Sequence, residues 1–384
     1  MRIGIPREIK DGEGRAGMTP EATGVLARKG HDLWVEAGAG RGAGFGDDLY
    51  AEAGARITDD PGEVYRCGLV VKVKELQPAE FPRLQPGTIV AGYQQLARDP
   101  ALLDAVLARR ITCLAFEGVR RPDGSRPMLA PMSTLAGLVS SQIAAWALQR
   151  REGPLSGSGV LLHGLPGVEP AAAVVVGDGV VGQAAARAFL AFGCRVTVLG
   201  TSPDLLQAIE ARAREDGRGN LLRTALSSPG ELAACTAGAD VVVGAVSIPG
   251  RLSPKLLTRD MLRAMRPGSV LVDVGIDMGG IAETSRQTRL SDPLYLEEGV
   301  LHYCVPNIPA LVPRAATLAL SAAMLPFMAL VADLGLEAAL GAAPALAEGL
   351  LVHDGRVVNR ALAEDTGRPC ADFPSHWIHP TKRG

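Results

Sequence analysis

The chain has 384 residues, 47% of them hydrophobic, with 39 Lys and Arg against 41 Asp and Glu. This length predicts two domains with sizeable apolar cores, and the near-zero net charge argues against a nucleic-acid partner or an anionic membrane surface. The six cysteines are scattered and form no C-x-x-C pair, and no signal-peptide region precedes the first strand. We therefore expect a reduced, cytoplasmic protein without a metal site.

The first third of the chain alternates short apolar strands with helices, which is typical of a mostly parallel α/β sheet. Thr19 is predicted to cap a helix that starts at Pro20 and stops at Gly30. The other elements predicted here are the strands Ile3–Ile5, Leu33–Val35, Leu69–Lys74, Thr88–Ala91 and Ile111–Phe116 and the helix Ala101–Arg109.

Polar side chains follow several of these strands. Arg15 lies in a glycine-rich loop after the first strand, Lys74 ends the third, and Gln95 and Glu117 follow the fourth and fifth. Strand alternation would place Lys72 and Lys74 on one face. Ligands of open parallel sheets bind beyond the carboxyl ends of the strands, so an Arg and a Lys at this edge predict a site for a small carboxylate. Taken singly, each residue is better explained as part of a solvated surface, and only the set favours a site.

The motif Gly177-Asp-Gly-Val-Val-Gly182 stands between an apolar run and a helix pattern rich in small residues. In this context Gly177 permits a tight turn, Gly179 lets a pyrophosphate approach the backbone, and Gly182 lets the helix pack on the strand. Val180 and Val181 begin the helix, whose free N–H groups attract phosphates. The motif predicts a Rossmann-type dinucleotide-binding domain.

The next strand, Arg195–Leu199, ends at Gly200, where NAD-binding domains usually carry an acid for the ribose hydroxyls. Gly200, Thr201 and Ser202 would remove the repulsion of a 2′-phosphate and supply small donors. We therefore expect NAD(P)H as cofactor and hypothesise that NADP(H) is accepted and preferred. Replacing Gly200 with Asp would then shift the preference towards NADH.

The rest of the second half also alternates helices and strands. The predicted elements are the helix Thr134–Gln149 and the strands Leu221–Ala225, Asp240–Val246, Ser269–Val274 and Leu301–Val305. The segment Ala315–Leu340 is predicted to form one apolar helix. It contains Pro326 and lacks flanking aromatic or basic belts, which favours a buried helix over a membrane span. It follows the second sheet, so the tail is expected to return to the first domain.

Taken together, blocks from Met1 to about Leu351 resemble the alanine dehydrogenase family, which is related to the first domain of proton-translocating transhydrogenase. Besides Arg15, the matching blocks are Gly4–Lys10, Val71–Glu75, Leu129–Ser133, Gly164–Gly167, Gly177–Gly182, Gly244–Gly250, Pro254–Leu256, Asp273–Gly280 and His302–Asn307.

The resemblance implies an α/β fold with parallel sheets in two domains around a cleft. Residues 129–307 would form the Rossmann domain, and residues 1–128 with 308–384 a discontinuous substrate domain. It also implies a homo-oligomer, a hexamer, in which a 2-oxo acid is reductively aminated with ammonia at the nicotinamide.

Carried over by motif, Arg15 and Lys74 would bind the substrate carboxylate, with Lys74 also able to take part in proton transfer. Asp277 would lie by the nicotinamide and orient ammonia or the amine, and Asn307 would line the same site. Each of the last two could instead be a turn residue. The remaining residues expected at the cofactor are Met132, Ser133 and Val246.

One departure from the family concerns its catalytic histidine. The family has this histidine in a segment like Tyr-Leu-His-Leu, and this chain has Gln95 in that place. An amide can donate a hydrogen bond to a carbonyl or imine, but it cannot supply or remove a proton. General acid–base catalysis is typically worth about 10²–10⁴-fold in rate. His163, where the family usually has glycine, could be a displaced proton donor, although a loop role is favoured.

The sequence thus predicts a cytoplasmic NAD(P)H-dependent oxidoreductase that transfers hydride at the C=N or C–N carbon of a small 2-imino or 2-amino acid. Three alternatives stay open. The chain could be a genuine alanine dehydrogenase, a reductase of preformed or cyclic imines, or a catalytically silent paralogue that binds a nucleotide.

Overall fold

A computed structural model describes residues 1–246 and 252–372. Within them the chain forms two compact units, residues 1–132 with those from 310 onward, and residues 133–309. We call these the first and the second unit. Each is built on one predominantly parallel sheet with helices around it, which confirms the predicted fold class. The predicted boundaries of the Rossmann domain and the substrate domain stay a prediction.

The described part of the first unit contains an eight-stranded sheet in the order β15-β14-β6-β5-β4-β1-β2-β3. Its strands are β1 (Arg2–Ile5), β2 (Asp32–Glu36), β3 (Arg56–Thr58), β4 (Leu69–Val71), β5 (Ile89–Gly92), β6 (Thr112–Ala115), β14 (Leu350–His353) and β15 (Arg356–Val357). Strands β1 to β6 are parallel, and β14 runs antiparallel to β6. The tail thus extends the sheet of the first unit.

Four of the helices described in the first unit begin at a side-chain cap, supplied by Thr19, Asp60, Asp99 and Asn359. Its helices are α1 (Pro20–Arg28), α2 (Asp47–Glu52), α3 (Pro61–Tyr65), α4 (Pro100–Ala108), α10 (Pro313–Leu334), α11 (Leu336–Ala342) and α12 (Arg360–Thr366). The predicted cap of α1 is confirmed, because the Thr19 side chain accepts a hydrogen bond from the backbone N–H of Ala22. Gly30 follows this helix with φ +89°, a conformation that favours glycine.

The third predicted strand is shorter than expected, ending at Val71 instead of Lys74. The N–H groups of Val73 and Lys74 donate to Oε1 of Glu8. A side chain therefore accepts these two bonds in place of a neighbouring strand. The Nζ of the fully buried Lys72 lies 2.5 Å from Oε1 of Glu80 and 3.4 Å from Oε2 of Glu8. The strand thus ends before Lys72 and Lys74, so strand alternation does not settle whether they share a face.

The predicted helix Ala315–Leu340 is two helices, because Gly335 (φ +80°) separates α10 from α11. Helix α10 has the length and composition of a membrane span, but half of its most apolar stretch is buried in the structure. Two hydroxyl groups of α10 accept hydrogen bonds from the loop that follows β1. Thr317 accepts from the N–H of Ala16 at 3.1 Å, and Ser321 accepts from the N–H of Thr19 at 2.9 Å. These contacts are those of a core helix that fixes the loop around Arg15.

The described part of the second unit contains a seven-stranded sheet in the order β12-β13-β11-β10-β7-β8-β9. Its strands are β7 (Ala172–Val176), β8 (Arg195–Gly200), β9 (Leu222–Leu226), β10 (Val241–Gly244), β11 (Val270–Asp273), β12 (Leu294–Glu297) and β13 (Val300–Tyr303). Its helices are α5 (Ala130–Ala147, which starts in the first unit), α6 (Val180–Ala191), α7 (Pro203–Glu215), α8 (Pro229–Thr236) and α9 (Arg259–Arg263). Only β12 is antiparallel to its neighbour. The β7–α6 turn carries the glycine motif.

Candidate functional site

The polar residues predicted at the carboxyl edge of the first sheet leave it from neighbouring strands. Strands β6, β5, β4 and β1 are adjacent and parallel. Glu117, Gln95, Lys74 and Arg15 follow these strands in that order. The topology therefore directs all four to the same edge of the sheet.

Arg15 is a buried cation with a carboxylate already in place. Its side chain is 2% exposed, and its Nε and Nη2 donate to the two oxygens of Glu13 at 2.7 and 2.5 Å. Its Nη1 lies 3.3 Å from Sδ of Met132. The bidentate pair fixes the plane of the guanidinium, so Arg15 is held in one orientation. Met132 was expected at the cofactor, and within the first unit it packs against Arg15.

Lys74 is also mostly buried, with 7% of its surface exposed. Its Nζ lies 3.8 Å from Oε2 of Glu75, and its backbone N–H donates to Glu8 at 3.3 Å. Burial of an ammonium ion is costly unless a carboxylate lies nearby, and Glu75 supplies one.

Gln95 has a left-handed backbone conformation, with φ +49°. This region is costly for most L-residues, and such outliers concentrate at functional sites. The loop is stabilised by Glu117, whose Oε1 accepts the N–H groups of Gln94 and Gln95 at 3.0 and 3.2 Å. The sequence placed Glu117 at this edge but gave no sign that it positions Gln95.

Glu117 is itself an unusual carboxyl group. Its Oε2 is buried and accepts no hydrogen bond from the part of the chain that the structure describes. Burial raises the pKa of Glu117, against the opposing effect of the backbone N–H groups and the charge of Lys74. The group that contacts Gln95 is therefore a carboxyl that holds its proton more tightly than an exposed glutamate.

This raised pKa gives a pH-dependent stability with a definite sign. The contribution of the protonated Glu117 is complete below the unfolded pKa of about 4.3 and falls as the pH rises through the folded pKa. Relative to the wild type, Glu117→Gln should therefore gain stability as the pH rises from about 4 to 8. Urea unfolding of both proteins across this range measures the difference.

A second variant provides a control of opposite sign. The hydrogen bond and charge of Arg110 lower the pKa of Asp354, so its stabilising contribution is present at neutral pH and lost in acid. Asp354→Asn should therefore differ from the wild type most at neutral pH and least in acid. A difference for Glu117→Gln that does not change with pH would show that its carboxyl is not perturbed.

His163 does not lie where a displaced proton donor would be needed. It is exposed, and a Cβ built at Gly193 would lie 3.3 Å from its ring. Gly193 and Leu162 pack where β7 and β8 begin, at the edge of the sheet opposite to the glycine motif. The loop interpretation of this histidine is the one that its position supports.

The glycine loop, Gly177–Gly182, has a shape that fits a dinucleotide. Gly177 has φ +120°, and a Cβ at Gly182 would lie 1.9 Å from the carbonyl oxygen of Gly177. By contrast, a Cβ at Gly179 would meet no described atom within 4 Å. Helix α6 starts after Gly179 without a side-chain cap, so the first N–H groups of Val180 and Val181 are free to bind phosphate.

Two alanine substitutions in this loop should separate packing from binding. Gly182→Ala inserts a methyl group against the backbone and should cost about 1–3 kcal/mol of stability. Gly179→Ala should fold like the wild type but bind NADH at least about tenfold more weakly, because the methyl group occupies the pyrophosphate path. Thermal unfolding and NADH fluorescence titration measure the two effects. Equal NADH affinity in Gly179→Ala and the wild type would contradict the assignment.

The hypothesis of NADP(H) preference assumed that no acid lies at the end of β8. The structure places one there. Oδ2 of Asp178 accepts hydrogen bonds from the N–H groups of Thr201 and Ser202 at 2.8 and 2.7 Å. A carboxylate therefore lies beside Gly200, although it comes from the glycine loop. The sequence shows Asp178 and Gly200, but it does not show that the side chain of Asp178 lies beside Gly200.

The other residues predicted at the cofactor or substrate belong to the second unit. Asp277 is exposed in a short helical turn after β11, Asn307 has φ +62°, and Ser133 lies in the first turn of α5. Val246 is partly buried after β10, and its carbonyl accepts a hydrogen bond from Ser253. The block Gly244–Gly250 continues into residues 247–250, which lie outside the described residues. The roles of all four residues stay predictions.

Asp273, which ends β11 and belongs to the same sequence block as Asp277, has a structural role. It is fully buried, and its Oδ2 accepts the N–H of Ile281 at 2.8 Å and the hydroxyl of Ser285 at 2.5 Å. These bonds hold the turn that carries Asp277. Within residues 1–246 and 252–372, no group of three His, Cys, Asp or Glu side chains could hold a metal ion.

Comparison with known proteins covers both units. Residues 4–136 match the model of the alanine dehydrogenase/PNT N-terminal domain, and residues 140–360 match that of the C-terminal domain. The chain belongs to the alanine dehydrogenase family. The predicted resemblance is thereby confirmed.

Individual relatives match over almost their whole length. The chain is 44% identical to alanine dehydrogenase of Halomonas elongata, over 96% of this chain and 97% of that protein. It is 42% identical to alanine dehydrogenase of Mycobacterium tuberculosis, over 96% and 98%. The predicted class is confirmed: this member of the alanine dehydrogenase family is an NAD-dependent amino-acid oxidoreductase.

Solved structures agree with this membership. An L-alanine dehydrogenase superposes with a TM-score of 0.91 at 38% identity, covering 96% of this chain and 99% of the other. A transhydrogenase from Sinorhizobium meliloti gives a TM-score of 0.78 at 25% identity, covering 93% and 100%. Of these two structures, the dehydrogenase has both the higher TM-score and the higher identity.

Proposed function

We propose that this enzyme transfers hydride between nicotinamide C4 and the α-carbon of a small 2-amino or 2-imino acid. In the oxidative direction an amino acid and NAD⁺ give an imino acid, NADH and a proton. Addition of water to the imino acid and loss of ammonia would give the 2-oxo acid. The bound cofactor supplies or accepts the hydride, and the protein must bind the carboxylate and manage the protons.

The carboxylate site of the first unit carries the proposal. Arg15 is buried and held in one orientation by Glu13, and Lys74 leaves the same sheet edge with little exposure. Two buried cations at the carboxyl ends of parallel strands suit a small carboxylate. A transhydrogenase-type reaction passes hydride between two nicotinamides and needs no such anchor.

The glycine loop supports NAD as the cofactor. A dinucleotide would be held by the open backbone at Gly179 and by the free N–H groups of α6. Asp277, in the turn after β11, would orient the amine. The carboxylate of Asp178 beside Gly200 speaks against the expected preference for NADP(H), and we propose NAD(H) as the preferred form.

Gln95 favours one alternative substrate class. Reductive amination of a 2-oxo acid requires dehydration of a carbinolamine, a stage that benefits from an acid–base residue. A preformed or cyclic imine bypasses this stage. A reductase of such imines is therefore the second candidate, and the left-handed Gln95 in place of histidine is the observation that favours it.

A substrate panel tests the proposal. Purified protein is mixed with NADH or NADPH and with 2-oxo acids plus ammonia, 2-oxo acids plus primary amines, or cyclic imino acids. We expect oxidation of NADH that depends on an acid bearing a carboxylate. No oxidation with any of these compounds would instead support the catalytically silent paralogue.

Assembly and location complete the proposal. By family resemblance we propose a homo-oligomer, a hexamer, that works in the cytoplasm without a nucleic-acid or membrane partner. Light scattering on the purified protein measures the mass of the assembly, and a monomer would contradict this part.

A further inference from the structure

Asp178, the second residue of the glycine loop, bridges two elements of the second unit. Its Oδ2 accepts the N–H groups of Thr201 and Ser202, the residues that lead from β8 into α7. Ser202 in turn caps α7 by accepting the N–H of Leu205. The carboxylate is thus fixed at the end of β8 and near the N-terminus of a 13-residue helix.

The position of this carboxylate depends on the glycine at the end of the strand. A Cβ built at Gly200 would lie 2.4 Å from Oδ2 and 2.7 Å from Cγ of Asp178. The side chain of Asp178 therefore fills the space in which any side chain at position 200 would begin. Gly200 and the acid of the loop form one arrangement, and neither is explained without the other.

In NAD-binding Rossmann domains, an acid at the end of the second strand binds the ribose hydroxyls. We infer that Asp178 performs this role from the glycine loop and selects NAD(H) against NADP(H). Its second oxygen, Oδ1, accepts no hydrogen bond from the described residues, and the side chain is only half-buried. One oxygen fixes the side chain to β8, and the other is left for the hydroxyls of the ribose.

The surrounding charges point the same way. A 2′-phosphate would bring negative charge against a fixed carboxylate, which is unfavourable. The sequence from Gly200 to Ala211 contains no Lys or Arg that could compensate for that repulsion. Discrimination against NADPH would therefore arise from repulsion as well as from a hydrogen bond to the 2′-hydroxyl.

Binding measurements on four variants test this inference. Affinities for NADH and NADPH are measured by fluorescence titration on the same samples, so any unfolded fraction cancels in their ratio. Asp178→Asn should lower the preference for NADH at least about tenfold, as expected for the loss of one charge-assisted hydrogen bond. Asp204→Asn removes a neighbouring exposed carboxylate and should leave the ratio unchanged.

The third and fourth variants place an acid at the end of the strand. Gly200→Asp alone would place a second side chain on top of Asp178, so it should weaken binding of both cofactors, contrary to the expectation from the sequence. The double variant Asp178→Ala/Gly200→Asp clears that space and should recover the preference for NADH.

Each outcome decides the question. Equal affinity of the wild type for NADH and NADPH would overturn the inference, as would an unchanged ratio in Asp178→Asn. If Asp178→Asn binds neither cofactor, recovery of NADH binding in the double variant supports the inference and its failure overturns it. The inference rests on the proposed function only in requiring a nicotinamide dinucleotide. Binding without turnover would therefore count against the proposed substrate and leave Asp178 unaffected.

Discussion

The unmodified protein should aminate pyruvate, or oxidise L-alanine, at least about a hundredfold more slowly than a histidine-bearing relative, following the usual magnitude of general acid–base catalysis. The physical reason is that the Gln95 amide cannot supply or accept the proton moved during carbinolamine formation and collapse. Replacing Gln95 with His should restore part of this loss. Initial rates with saturating NADH, ammonia and pyruvate measure the effect.

The backbone at position 95 makes this experiment practicable. Histidine and asparagine are both enriched in the left-handed region that Gln95 occupies, so neither substitution should distort the loop held by Glu117. Gln95→Asn is the matched control, because it keeps an amide and should bring no gain. An equal gain in both variants would assign the effect to loop geometry. Efficient amination of pyruvate by the unmodified protein would contradict the prediction and favour a genuine alanine dehydrogenase.

Loss of the carboxylate anchor should be the second large effect. Removing the charge-assisted bond of Arg15 or Lys74 costs about 1.5–3 kcal/mol and should raise the KM for the substrate at least about tenfold. Affinity for NADH should stay nearly unchanged. The structure adds a warning for Arg15→Ala. This change removes the guanidinium that faces the buried Glu13 carboxylate, which is 1% exposed, at a cost of about 3–5 kcal/mol in stability.

Two variants avoid this instability. Arg15→Lys keeps a positive charge beside Glu13 but loses the bidentate geometry, and Lys74→Met keeps the length of the side chain without its charge. Lys10→Met is the matched control for Lys74, because Lys10 is also ion-paired to Glu75 but is 37% exposed. If KM rises as much in Lys10→Met as in Lys74→Met, the effect is due to the loss of an ion pair with Glu75 and not to Lys74 itself. If NADH affinity falls as much as substrate affinity, Arg15 and Lys74 are not specific anchors of the substrate carboxylate.

Much of the fold could be predicted because its signals are local. The buried strands of both sheets are apolar runs, and the caps of α1 and the turn at Gly177 depend on residues next to each other in sequence. The strands that were missed, β3, β12, β14 and β15, are short or lie at sheet edges. Their pairing depends on distant partners, such as β6 for β14. Gly335 is a local signal for the end of a helix, but the continuous apolar pattern around it favoured the prediction of a single helix.

The candidate site divides in the same way. Positions of single residues after strands could be predicted, since parallel strands share a carboxyl edge. Contacts between charged residues distant in sequence could not. Glu8 ends β4 early by accepting two N–H groups from residues 65 and 66 positions away. Asp178 reaches Thr201 across 23 positions, and the proposed preference for NAD(H) rests on this contact. Charge patterns in a sequence do not show which carboxylate meets which N–H.

Transfer of deuterium tests the central claim most directly. NADH labelled with deuterium at nicotinamide C4, in each of its two stereochemical forms, is incubated with the protein and the best substrate of the panel. The account predicts that one of the two forms delivers its deuterium to the α-carbon of the amino-acid product, detected by mass spectrometry. Label that appears only on an added oxidised nicotinamide, or in neither product, would contradict an amino-acid oxidoreductase acting at the C–N carbon.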